Sequence, residues 1–146
     1  MVRNFTVQEH VKELYSETSY ASRLFSYMGQ KDHLEWIIRR LNENPHTRSA
    51  TITTFEPLTD EGYIPRVSLP DFQEEAGKLN LTVYCRALDF GRNDYIRLVM
   101  LQTIPQTVSE KAGIPRGCLT LLVKSAHYYR KDEPKVHGIL KAEGAV

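Results

Sequence analysis

Arginine, histidine, tyrosine and cysteine side chains carry the chemistry open to this sequence, and their neighbours decide which of them can use it. Arg86 follows Cys85 in the alternating segment Leu79 to Leu88, LNLTVYCRAL. A guanidinium stays protonated at any accessible pH and offers a planar fork of donors, which suits phosphate or carboxylate. It suits a plain surface charge on a sheet equally well, beside Tyr84 and Thr82. His127 and Tyr129 lie one residue apart. That imidazole and phenol could move protons, or they could be ordinary satisfied sheet residues. Cys85 could in principle be a nucleophile, its thiolate favoured by the adjacent cation. Strand alternation, however, turns it to the face opposite Arg86, with Leu81 and Val83. Cys118, at the start of a strand, reads as packing. His10, His33, His46, His127 and His137 show no metal-ligand spacing, so no metal is expected. Tyr15, Tyr20, Phe25 and Tyr27 read as core or interface residues rather than a stacking platform.

The chain that must position these groups has 146 residues, 41% hydrophobic and 25% charged. That is the composition and length of one globular domain. Nineteen Lys+Arg against eighteen Asp+Glu leave a net charge of +1, which argues against a polynucleotide partner and against an acidic tail. No apolar run is long enough to span a bilayer, and the opening MVRNFTVQEH lacks the apolar core of a signal peptide, so no membrane association is expected. Two cysteines make neither a disulfide framework nor a Cys-x-x-Cys site, and a reducing, cytoplasmic setting follows.

Periodicity then gives the elements. Thr6 to Tyr15 places Val7, Val11, Leu14 and Tyr15 at helical spacing. The polar, Ser-rich stretch before Lys31 reads as an ordered loop. Lys31 to Asn42 is a helix with Leu34, Ile37, Ile38 and Leu41 on one face, ended by Asn44-Pro45. Ala50 to Phe55 is a strand, and Ile64 to Gln73 another, in which Pro70 implies a bulge or an edge. A turn at Glu74 to Lys78, with Gly77, joins it to Leu79–Leu88. Asn93 to Ala112 is a helix that Pro105 should kink or divide, with Gly113 as its C-terminal cap. Leu119 to Tyr129 is a long final strand, and a short helix over Val136 to Leu140 closes the chain. This order predicts an α+β fold, a mixed sheet with helices packed on one face. The other face then needs cover, and dimerisation through it is one way to provide it.

Four segments in order resemble the thymidylate synthase family, with its relatives the pyrimidine-nucleotide hydroxymethylases: LNENPHTRSATI (41–52), IPRVSLPDF (64–72), GKLNLTVYCRALDFG (77–91) and LTLLVKSAHYY (119–129). Shorter echoes, YASRL and IPRG, keep the same order. In that family a cysteine thiolate adds to C6 of a pyrimidine nucleotide and activates C5 toward a one-carbon unit from a reduced folate. The resemblance puts Pro65-Arg66 at the Pro-Cys motif, so arginine stands where the nucleophile belongs, and a guanidinium cannot add to carbon. It puts Arg97 at the asparagine that orients the base. It gives Arg86 the phosphate-arginine position and Asp89 the aspartate that follows. Arg48 takes the place of an arginine that crosses to the partner's phosphate site, with Ser49 in place of its neighbour. His127 and Tyr129 match the His-x-Tyr pair that holds the sugar hydroxyl. The family's N-terminal loop, with a further phosphate arginine, is expected to be missing.

The resemblance therefore implies a divergent, single-domain member that binds a pyrimidine nucleotide or related anionic small molecule through Arg86, Arg48, Arg66 and Arg97. His127, Tyr129 and Asp89 would serve as acid/base groups for altered chemistry in a specialised biosynthetic pathway rather than dTMP synthesis. Reduced folate is implied as a cofactor by the resemblance alone. The alternatives are a non-catalytic anion-binding homodimer, or a subunit that pairs with a longer homologue. If Arg48, Arg66 and Arg86 converge, an anion or acidic side chains must offset their mutual repulsion.

Overall fold

Residues 20–62, 64–92 and 94–145 are described by a computed structural model of the chain. The expected helix over Thr6 to Tyr15 lies outside these residues. The elements run α1 (Tyr20–Phe25), α2 (His33–Glu43), β1 (Ala50–Thr51), β2 (Val67–Glu75), β3 (Lys78–Cys85), β4 (Leu88–Asp89), α3 (Asp94–Ala112), β5 (Arg116–Val123), β6 (Ala126–His127), a 3-10 turn (Arg130–Asp132) and α4 (Glu133–Ala142).

The alternation of β3 organises the rest. Leu79, Leu81, Val83 and Cys85 are all fully buried on one face. They meet Ile37 and Leu41 of α2 and Leu101 and Val108 of α3 in one core. The sheet order is β1-β2-β3-β5, antiparallel except for the parallel β3–β5 pair. This is the mixed α+β architecture that the pattern of elements implied. β2 and β3 are joined through Ala76 and Gly77, at φ 51° and 75°. Two successive positive φ values make the tight primed turn whose twist suits a two-residue hairpin, closed by the Glu75–Lys78 pair. Asp32 caps α2 by accepting the Glu35 amide at 3.0 Å.

Several expectations are corrected. The stretch before Lys31 contains α1, a helix too short to stand alone. Burial of Leu24 and the hold of Arg23 on Thr54 O (2.8 Å) fix it. The first strand pairs regularly only at Ala50 and Thr51. Ile52 N still donates to Pro70 O at 2.9 Å, but Pro70 has no N–H to return, so the ladder frays. Pro70 is thus not on an edge strand, and the register shift falls beside it, between Val67 and Leu69. Pro105 does not divide α3, which runs unbroken through it, anchored on either side by buried Leu101 and Val108. The final strand starts earlier and is two pieces. Both it and β3 jog at the same level, where Lys124 N bonds Cys85 O at 3.0 Å, and continue as the small parallel β4–β6 sheet. α4 begins at Glu133 with Pro134 in its first turn, where the missing amide hydrogen does no harm.

The face of the sheet away from the helices carries an exposed apolar row among the described residues. Leu69 pairs with Tyr84 and Tyr84 with Leu122, and this cross-strand row is exposed at 44%, 38% and 56%. No helix among the described residues is long and apolar enough to cross a membrane.

Candidate functional site

The jog in β3 and β5 brings the proton-transfer candidates to one place. Asp89 and His127 are register partners across β4 and β6, and Phe90 N bonds His127 O at 2.9 Å. The rings of His127 and Tyr129 meet edge to face, 5.6 Å between centroids and 88° apart. Tyr129 is half exposed, whereas Asp89 is buried and spends one carboxylate oxygen on Gly91 N at 3.0 Å. His127 Nδ1 lies 3.4 Å from Ser125 O. Arg92, which sequence reasoning passed over, places its guanidinium 5.4 Å above the Tyr129 ring.

Beside this group lies an ion pair. Arg66 reaches Asp94 Oδ2 at 2.7 Å, with the arginine side chain 30% exposed and the aspartate 1%. Asp94 opens α3, where a carboxylate is favoured by the helix dipole, and it also accepts the backbone N–H of Asp89. One residue therefore ties the lead-in to β2, the end of β4 and the start of α3. Asp94 was missed. Its signal was an acid in the first turn of a predicted helix, together with the need for a carboxylate to offset clustered arginines. Arg86 N donates to Arg66 O at 2.7 Å, so these two residues are backbone neighbours. The Arg86 side chain is exposed, with Nη2 at 3.4 Å from Ile64 O.

The other arginines lie apart. Arg48 is exposed in the turn before β1. Ala50 pairs with Phe72, five residues along β2 from Val67, or roughly 17 Å at about 3.3 Å per residue. Within one chain Arg48 therefore does not converge with Arg66 and Arg86. Arg97 lies in α3, and its side chain falls outside the described part of the structure. A cleft of about 270 Å³ lined by Gln102, Pro105, Arg116, Gly117 and Leu119 shares none of these residues.

Neither cysteine adjoins Arg86 as a reactive group. Cys85 is fully buried on the core face, and burial, with a smaller contribution from the Asp94 charge, pushes its thiol up to about 11. Cys118 is exposed rather than packed, with its amide held by Asn80 Oδ1 at 2.8 Å.

No family model matches the chain. It is 33% identical over 144 residues to a Methanosarcina mazei protein provisionally named thymidylate synthase, covering 92% of this chain and 66% of the relative. Identity to a protein of the same provisional name from Methanosarcina barkeri is 32% over the same coverage. The chain belongs to the thymidylate synthase family. It spans just under two thirds of the length of these relatives. Thermostable thymidylate synthase A from Bacillus subtilis shares the fold, with a TM-score of 0.67 at 19% identity over 75% of this chain and 40% of that one. Within this thymidylate synthase fold, Asp94 pairs with Arg66 and accepts the Asp89 amide, and Asp89 is the register partner of His127, whose ring meets Tyr129.

Proposed function

We propose that this chain binds a pyrimidine nucleotide or a related anionic small molecule and acts on it without a thiolate adduct, in a specialised biosynthetic pathway rather than in dTMP synthesis. The observation that carries this reading is the Arg66–Asp94 pair, which fills the position the resemblance gives to the nucleophile. The chain's own thiols do not replace it. A thiol at about 11 holds a negligible thiolate fraction at neutral pH, and Cys118 lies beside Asn80, five residues along β3 from Cys85, the register partner of Val67. His127 and Tyr129 are accessible enough to touch a ligand and, with Asp89, are the groups for proton transfer. Arg86 supplies an exposed cation for phosphate, which is worth about 1.5–3 kcal/mol as a charge-assisted hydrogen bond.

Two measurements test the reading. Titration calorimetry with UMP, dUMP, CMP and dCMP should detect binding that Arg86→Ala abolishes. Binding to none of them, or binding indifferent to that substitution, removes the inherited phosphate site. Tritium release from C5-labelled dUMP with methylenetetrahydrofolate should stay at the no-enzyme blank. Turnover above it would show that a thiolate route survives.

A second reading is that the working unit contains two chains. Arg48 lies at the far end of the sheet, where only another subunit could bring it to an anion, and the Leu69–Tyr84–Leu122 row offers an apolar contact face. The partner is a second copy or a longer homologue. A monomer in sedimentation at micromolar concentration would remove this reading.

A further inference from the structure

The turn between β4 and α3 carries a cation, Arg92, to which the sequence pattern gives no task. We propose that Arg92 is a ligand-binding residue that grips the phosphate of a nucleotide lying against His127 and Tyr129. This inference rests on the nucleotide reading above and adds to it a same-chain anion contact that does not depend on Arg48.

The turn holding Arg92 is clamped. A Cβ at Gly91 would lie 2.9 Å from Asp132 Cβ and 3.0 Å from Tyr128 Cβ, so the turn backbone sits directly on the segment that follows β6. Asp89 takes the Gly91 amide at 3.0 Å, and Lys135 Nζ reaches Gly91 O at 3.3 Å from α4. The clamp fixes where Arg92 starts, and the Tyr129 ring fixes where it ends, 5.4 Å beneath the guanidinium. Tyr129 in turn meets His127 edge to face. Cation, phenol and imidazole thus form one connected surface, built on short backbone segments with little freedom.

Charge balance separates Arg92 from its neighbour. Arg66 meets a carboxylate only 1% exposed at 2.7 Å, and that pair largely neutralises it. Arg92 meets Asp132 only through Nε at 3.3 Å, with its own side chain 45% exposed. A bond through Nε leaves the two terminal nitrogens, the pair that suits a phosphate in bidentate geometry, uncommitted to Asp132. Stacking on the ring holds the fork in place beforehand, which reduces the ordering needed on binding.

The test is calorimetry on the full chain with dUMP and UMP, each beside its nucleoside, for wild type, Arg92→Ala, Arg92→Lys and Arg92→Gln. Arg92→Ala should weaken the nucleotides at least about tenfold and leave the nucleosides within about twofold. Arg92→Lys should recover part of the loss. Arg92→Gln keeps a stem on the ring without the charge, so it should match alanine and serves if alanine lowers the melting temperature. Equal losses for nucleotide and nucleoside would mean that Arg92 only props Tyr129, and would overturn the proposal. So would nucleotide affinity unchanged by either neutral variant. Those outcomes leave the nucleotide reading standing, whereas a wild-type chain that binds no nucleotide overturns both.

Discussion

Arg23 and Arg66 each meet an aspartate, and the two pairs do different work. Arg23 grips Asp60 with two nitrogens, at 2.5 and 2.6 Å, and both side chains are almost wholly buried (6% and 3% exposed). The same guanidinium bonds Thr54 O, so it staples α1 to the segment that leads toward the site. Arg66 makes one contact with Asp94 and keeps 30% of its side chain in solvent. The first arginine is consumed by architecture. The second is held but still faces outward, at the position that the resemblance gives to the nucleophile. A buried pair and a half-buried pair thus divide structure from site within one residue type.

The largest effect should come from breaking the buried pair. Arg23→Ala strands the Asp60 carboxylate and should destabilise by about 3–5 kcal/mol in urea unfolding. A loss under about 1 kcal/mol would mean that solvent reaches Asp60 after all. The pair also sets an acid limb. Arg23's hydrogen bonds hold Asp60 below the usual carboxylate range. Its contribution is therefore complete above the ordinary aspartate pKa and is lost as pH falls through the depressed native value. Asp60→Asn should flatten this part of the stability–pH curve, and an unchanged slope would assign it to other carboxylates.

Arg66→Ala should have a smaller effect, about 1–3 kcal/mol, because the arginine is partly solvated and Asp94 keeps the Asp89 amide. Arg66→Cys sharpens the comparison further. Asp94, which already pushes Cys85 up, would face the new sulfur and hold it protonated. That variant should remain silent in tritium release, and activity from the single change would show that Asp94 is no obstacle. The smallest effect serves as a control outside both pairs. Ala76 sits at φ 51°, where asparagine is more at ease, and Ala76→Asn should stabilise by about 0.5–1 kcal/mol in thermal unfolding. It should add to either arginine variant, and non-additivity would couple the hairpin to the site.

Patterns internal to one element were legible in the sequence. The two-residue alternation of Leu79, Leu81, Val83 and Cys85 and the helical spacing of Leu34, Ile37 and Leu41 both describe observed buried faces. Gly77 marked the hairpin for a conformational reason. What escaped depends on contacts across the chain. α1 exists because Arg23 finds a partner about thirty residues away and Leu24 is buried in the core, not because six residues favour a helix. The final strand breaks because its neighbour β3 breaks, which its own run of apolar residues does not record. His127, Tyr129, Asp89 and Arg86 could be named from the resemblance. Asp94 and Arg92 could not, since their importance lies in what the fold sets opposite them.

The register shift in β2 has a consequence for residue 66. Counting inward from buried Phe72 by twos gives Pro70, then Ser68, then Arg66 as core positions. The irregularity reverses the phase, so Val67 enters the core in place of Ser68 and the guanidinium is delivered to the other side. Strict alternation through all of these residues would drive a permanent charge toward aliphatic side chains, so the placement of this arginine depends on one irregular step in the backbone.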